Sequence, residues 1–188
     1  PKTCAPFPRV LRDNGYATAG FGKWHLTPDR VQGAAGPHDR WPMGWGFGHF
    51  WGFLGAEAGQ YDPLITQDNT IIGVPEGTDG EAFYLPDAMT DHAVKWLHTV
   101  RAQDPVKPWF VYYSTGCAHA PHHVPPEWSD RYKGKFDQDW DALREETFER
   151  QKQLGVVPQD AVLTPRPDIF PAWDTLSANE RALYARQM

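Results

Sequence analysis

The sequence predicts an α/β fold: a mixed, mostly parallel sheet flanked by helices and rich in loops. Three observations predict it. Residues Phe7 to Phe21 read as helix, Gly-Tyr, strand, which is one α/β unit. Pro86 to Ser114 repeat that order, with an amphipathic helix followed by an apolar strand. Around these segments, 18 Pro and 17 Gly in 188 residues keep regular elements short and connections long.

The elements follow in order. Phe7 to Asn14 forms a short helix with Val10 and Leu11 on its apolar face and Gly15 as its stop. Tyr16 to Phe21 is a buried strand that runs into Gly22-Lys23-Trp24-His25. Ligands of open α/β sheets bind beyond the carboxyl ends of strands, so these four residues stand where a site is expected. Residues 27–84 are dense in Gly, Pro and aromatics and lack a helical period. They read as an ordered excursion, since linkers lack such aromatic density, with short strands near 50–54 and 70–74. The aromatics there suit a core and equally the wall of a substrate entrance. Asp68-Asn69 reads as a turn.

Pro86 to Val100 is the clearest helix, with Met89, Ala93, Trp96, Leu97 and Val100 on one stripe. Trp109 to Ser114 is a fully buried strand by composition. The loop after it, Thr115 to Pro125, holds His119, His122 and His123. Parallel pairing would bring that loop to the same edge as Lys23 and His25. A short helix at Pro126 to Tyr132 follows. Then come a charged helix near Trp140 to Leu154, with Arg144, Glu145, Glu149 and Arg150 on a solvated face, and a helix from Ser177 to Met188.

The net charge of −6 and the absence of any long Lys/Arg run exclude a footprint for nucleic acid or a membrane surface. No apolar run approaches the ~20 residues of a membrane-spanning helix. Compartment and oligomeric state are not legible. Cys4 and Cys117 are the only cysteines, too few for a disulfide framework, and read as free thiols or small buried hydrophobes. The chain starts at Pro1 and ends within a predicted helix, so it is expected to be an internal piece of a larger protein.

Lys23 and His25, two residues apart beyond a strand, suit an anionic group. Lysine neutralises oxyanion charge, and histidine moves a proton near neutral pH. Alone, the pair also fits a solvated turn. The three imidazoles of the later loop invite a zinc reading, but Pro121 opposes the helix that would put them on one face, and no fourth ligand stands nearby. No metal ligand is assigned.

Together the two clusters resemble a known family. Gly15-Tyr16-Ala17-Thr18-Ala19-Gly20-Phe21-Gly22-Lys23-Trp24-His25-Leu26 is similar to the G-Y-x-T-x-x-x-G-K-W-H-L signature of the type I, formylglycine-dependent sulfatases. The strand followed by His119-Ala120-Pro121 resembles that family's strand and H-x-P. Arg131 to Asp137 and Arg144 to Gly155 look like bacterial arylsulfatases, so the resemblance spans nearly the whole chain.

The resemblance implies a partial alkaline-phosphatase-like sulfatase fold, with residues 1–188 forming an internal part of one catalytic domain. It implies hydrolysis of a small aryl or sugar sulfate ester, with Lys23 on the sulfate and the nucleophile, His25 as a base, and His119 at the leaving-group oxygen. It also implies calcium and formylglycine in the full-length parent, neither held by residues of this segment. The nucleophile motif C/S-x-P-x-R is missing. In Cys4-Ala5-Pro6-Phe7-Pro8-Arg9 the arginine falls one residue late, and Asp68-Asn69 lacks the glycine of the family's calcium-binding Asp-Asn pair. The segment alone is therefore expected to be inactive. Two alternatives stay open: a phosphodiesterase or phosphonate monoester hydrolase of the same superfamily, and a non-catalytic anion- or zinc-binding module.

Overall fold

The structure, a computed structural model, describes residues 3–77 and 82–188. The excursion expected at 27–84 therefore has four residues, 78–81, outside the described ones. The chain divides into two compact units, Pro1–His123 and Val124–Met188. Among the described residues no helix is long and apolar enough to cross a membrane.

The first unit is α/β, as predicted. Its elements are α1 (Phe7–Asp13), β1 (Ala17–Lys23), β2 (His49–Phe53), β3 (Ile65–Gln67), β4 (Thr70–Gly73), α2 (Leu85–Gln103) and β5 (Trp109–Ser114). The five strands form one sheet in the order β4-β3-β2-β1-β5. β1 is central and pairs in parallel with both β2 and β5, while β3 and β4 add antiparallel strands on the far side.

Period-two alternation along the strands explains why both faces of this sheet need cover. Ala19 and Phe21 of β1, Trp51 and Phe53 of β2, and Ile65 of β3 pack with Leu85, Met89 and Ala93 of α2. Of the stripe expected on that helix, Met89 and Ala93 are buried and Trp96 packs against the cluster, while Leu97 and Val100 are only half-buried; full burial of a large apolar side chain is worth about 1.5–3 kcal/mol. The opposite face holds Phe50 with Trp24, Trp41, Phe47 and Leu54. The aromatic-rich excursion, which includes 3-10 turns at Asp29–Val31 and Pro42–Trp45, thus covers the second face as a lid of loop. Two of its indoles are paired: Trp41 Nε1 donates to Val31 O at 2.7 Å and Trp45 Nε1 to Arg40 O at 3.0 Å.

β5 departs from its predicted burial. Among the described residues it pairs only with β1 and lies at the sheet edge, with Trp109, Tyr112 and Tyr113 exposed. Composition reports that a strand is apolar; its place in the sheet is decided by distant pairing.

The second unit holds α3 (Pro126–Asp130), α4 (Trp140–Gln153), a 3-10 turn (Trp173–Thr175) and α5 (Ala178–Gln187). Asp139 caps α4, accepting from Asp141 N at 2.7 Å, and Ser177 with Glu180 forms a capping box on α5. Trp140 stacks edge-on against Trp173. Glu145, Glu149 and Arg150 are exposed as expected, whereas Arg144 is half-buried and donates to Thr164 O and Oγ1.

Candidate functional site

Gly22 begins the site. It lies in β1 with φ +94°, and a Cβ there would stand 2.0 Å from Ser114 O and 2.5 Å from Met89 Sδ. Only glycine lets β1 approach β5 and α2 this closely. Lys23 is the last residue of β1. The chain then continues past the end of β2, with Trp24 N donating to Phe53 O at 3.0 Å and His25 N to Leu54 O at 3.1 Å. Trp24 is buried, with its ring edge-on to Phe47 and Tyr112. His25 has φ +52°, a left-handed conformation that few residues other than glycine adopt.

Lys23 is half-buried and His25 exposed. Among the described residues neither side chain has a hydrogen-bond or ion-pair partner.

The expected convergence of loops follows from the pairing. β1 and β5 run parallel with Gly22 opposite Ser114, and β1 and β2 run parallel with Lys23 opposite Phe53. Three strands therefore end at one edge, and the loops starting at Trp24, Leu54 and Thr115 all leave from it. His119 lies in the third of these. Its Nδ1 is 2.8 Å from Ala120 O and 3.3 Å from Glu57 Oε2, so two acceptors meet the same ring nitrogen.

His123 Nδ1 accepts from Gln60 N at 3.3 Å, and its ring leans on Tyr61 at 5.6 Å between centroids. His122 is exposed. Among the described residues no group of three or more His, Cys, Asp or Glu could hold a metal ion.

Beneath the loop Gln60 is buried, and its Oε1 has no partner. Tyr84, packed against Tyr61 at 5.4 Å, has its hydroxyl pushed up to about 12, first by burial and then by the neighbouring Cys117, Tyr61 and Asp87.

Two other sequence candidates sit elsewhere. Asp68 occupies the β3–β4 turn with φ +54°. Its Oδ1 accepts from Phe50 N at 2.9 Å and lies 3.0 Å from His49 Nδ1, at the start of β2 rather than its end. Cys4 and Cys117 are free thiols, both exposed rather than packed.

Sequence reasoning missed Glu57 and Gln60. Neither belongs to a motif, and only the parallel pairing of β2 brings the loop that holds them to this edge.

A family model described as Sulfatase matches residues 1–188. The arylsulfatase of Klebsiella aerogenes is 27% identical over 190 residues, covering 95% of this chain and 37% of that protein. The N-acetylglucosamine-6-O-sulfatase of Bacteroides thetaiotaomicron is 28% identical over 177 residues, covering 84% of this chain and 27% of that protein. The chain spans 37% and 27% of the length of these two curated relatives. Among solved structures, the crystal structure of Ps i-CgsB aligns with a TM-score of 0.57 at 19% identity, covering 73% of this chain and 32% of that one. A second crystal structure of Ps i-CgsB, in complex with k-i-k-neocarrahexaose, aligns with a TM-score of 0.55 at 21% identity, covering 70% and 30%. Both likenesses concern the fold.

Proposed function

The chain belongs to the sulfatase family, and from that membership we propose that the whole protein hydrolyses small sulfuric esters, aryl or sugar sulfates, using Lys23, His25 and His119. One observation carries the reading. Lys23 is a half-buried ammonium with no counter-ion among the described residues, at the edge from which the His119 loop also leaves. An ammonium without a counter-ion at that end of the strands is available to compensate an anion, and sulfate oxygens would take that place.

Each residue has a distinct task in this reading. Lys23 compensates the charge on the sulfate oxygens. His25 serves as a base for the sulfated enzyme, and His119 Nε2 donates a proton to the leaving oxygen. Formylglycine, where the family carries it, supplies the oxygen nucleophile; Cys4 and Cys117 both lie outside a C/S-x-P-x-R context. The residues assigned here contribute charge compensation and proton transfer.

The test uses the full-length protein with 4-nitrophenyl sulfate and, in parallel, bis(4-nitrophenyl) phosphate. Sulfate ester turnover should dominate, and Lys23→Ala should lower it by roughly 10²-fold or more, the scale of a lost oxyanion contact. Preference for the phosphodiester, or an unchanged rate in the folded variant, would refute the assignment.

A further inference from the structure

We infer that Glu57 is the positioning residue of His119, an inference that rests on the proposed role of His119 as the proton donor. The contact joins two loops that share no motif. Glu57 follows β2, His119 follows β5, and each is brought to the edge by pairing with β1. Glu57 Oε2 is 3.3 Å from His119 Nδ1, and both side chains are about half-exposed.

The chemistry follows from which nitrogen is engaged. Ala120 O and Glu57 Oε2 both accept, so the hydrogen they share sits on Nδ1. That leaves Nε2, which has no partner among the described residues, as the nitrogen available to a ligand. The carbonyl holds the ring's orientation. The carboxylate adds a negative charge beside Nδ1, which compensates the charge that the imidazolium carries while it donates from Nε2.

Only the imidazolium can act as the acid. An oxygen nucleophile forms its bond to sulfur while the S–O bond to the leaving oxygen breaks. The electron pair stays on the leaving oxygen and takes the Nε2 proton. His119 ends neutral with its hydrogen on Nδ1, and Glu57 stays ionised throughout. The carboxylate thus acts through the imidazole and need not touch the substrate.

Leaving-group basicity separates this role from a merely structural one. Phenyl sulfate expels a strongly basic phenoxide and needs the proton; 4-nitrophenyl sulfate expels a weakly basic one and needs it little. Glu57→Gln keeps an acceptor and the side-chain shape while removing the charge. In the full-length protein it should lower kcat on phenyl sulfate by roughly 10- to 100-fold, with less than about threefold loss on 4-nitrophenyl sulfate and KM nearly unchanged on both.

Equal losses on the two esters, or none on either, would overturn the role of Glu57. His119→Ala, measured alongside, tests the reading underneath. If it shows the same leaving-group-dependent loss while Glu57→Gln does not, only the positioning role fails. If His119→Ala turns over both esters at the wild-type rate, the proton-donor assignment fails and Glu57 falls with it.

Discussion

Gly22→Ala should be one of the most destabilising single-methyl additions in the first unit, and Gly15→Ala is its matched control. Both glycines have positive φ, +94° and +89°, so alanine meets a similar backbone penalty at each, about 1–2 kcal/mol. They differ in space. At Gly15 an added Cβ meets nothing within 4 Å, whereas at Gly22 it stands 2.0 Å from Ser114 O and 2.5 Å from Met89 Sδ. The methionine can turn away, but the carbonyl belongs to the backbone of β5. Restoring an ordinary contact would push the strands more than about 1 Å apart, at an overpacking cost of about 1–3 kcal/mol. One or two ladder hydrogen bonds would weaken as well, at about 1 kcal/mol each. The total is about 3–7 kcal/mol for Gly22→Ala against about 1–2 kcal/mol for Gly15→Ala. Urea unfolding of the full-length variants, compared at equal m-value, reads the difference. Costs within about 0.5 kcal/mol of each other would refute the claim that the β1–β5 approach, and not the dihedral alone, demands glycine at residue 22.

Two further outcomes follow from named side chains. His92 stacks on Trp51 at 4.1 Å and titrates below the ordinary histidine range, because burial and then His49 and Lys95 disfavour its charged form while Asp91 partly offsets them. The unfolded chain therefore binds more protons below about pH 6.5, so stability is full above that pH and falls as acid is added. Denaturation midpoints measured between roughly pH 5 and 7.5 should show this slope, and His92→Gln should flatten it. The indoles supply the second outcome. Trp24 Nε1 is buried without a partner, while Trp41 Nε1 donates to Val31 O at 2.7 Å. Trp41→Phe strands that carbonyl and should cost about 1–3 kcal/mol; Trp24→Phe removes an unsatisfied donor and should cost less, as thermal or urea melts would register.

Much of this architecture was legible because local signals agreed with it. α2 carries an apolar stripe and Gly15 breaks the chain where the turn lies, but on α1 Val10, expected on the apolar face, is exposed and Pro8 is the buried residue. Lys23, His25 and His119 were visible because each follows an apolar strand at short spacing. β3 was not: three residues, Ile65–Gln67, have too little period to declare themselves and are defined by pairing with β2 and β4. The exposure of β5 escaped for a related reason, since an apolar strand reads the same at an edge as at a centre. Asp68 was correctly read as a turn residue, but its contacts with His49 and Phe50 depend on a hairpin that folds back over β2. Glu57 was invisible for the deepest reason: its meaning lies entirely in a loop 62 residues further along the chain.

The buried indole of Trp24, set between two side chains without partners, separates architecture from reactivity within three consecutive residues. The aromatic anchor helps to fix the path of the chain, while the side chains on either side make no hydrogen bond or ion pair among the described residues. A saturation library across 23–25 would then show opposite phenotypes at adjacent codons. The middle position would lose protein abundance to most substitutions, while the outer two would keep more folded product, residue 25 best with side chains that tolerate its φ of +52°. In the proposed sulfatase site, such a segment would admit changes in anion preference without rebuilding the sheet beneath it.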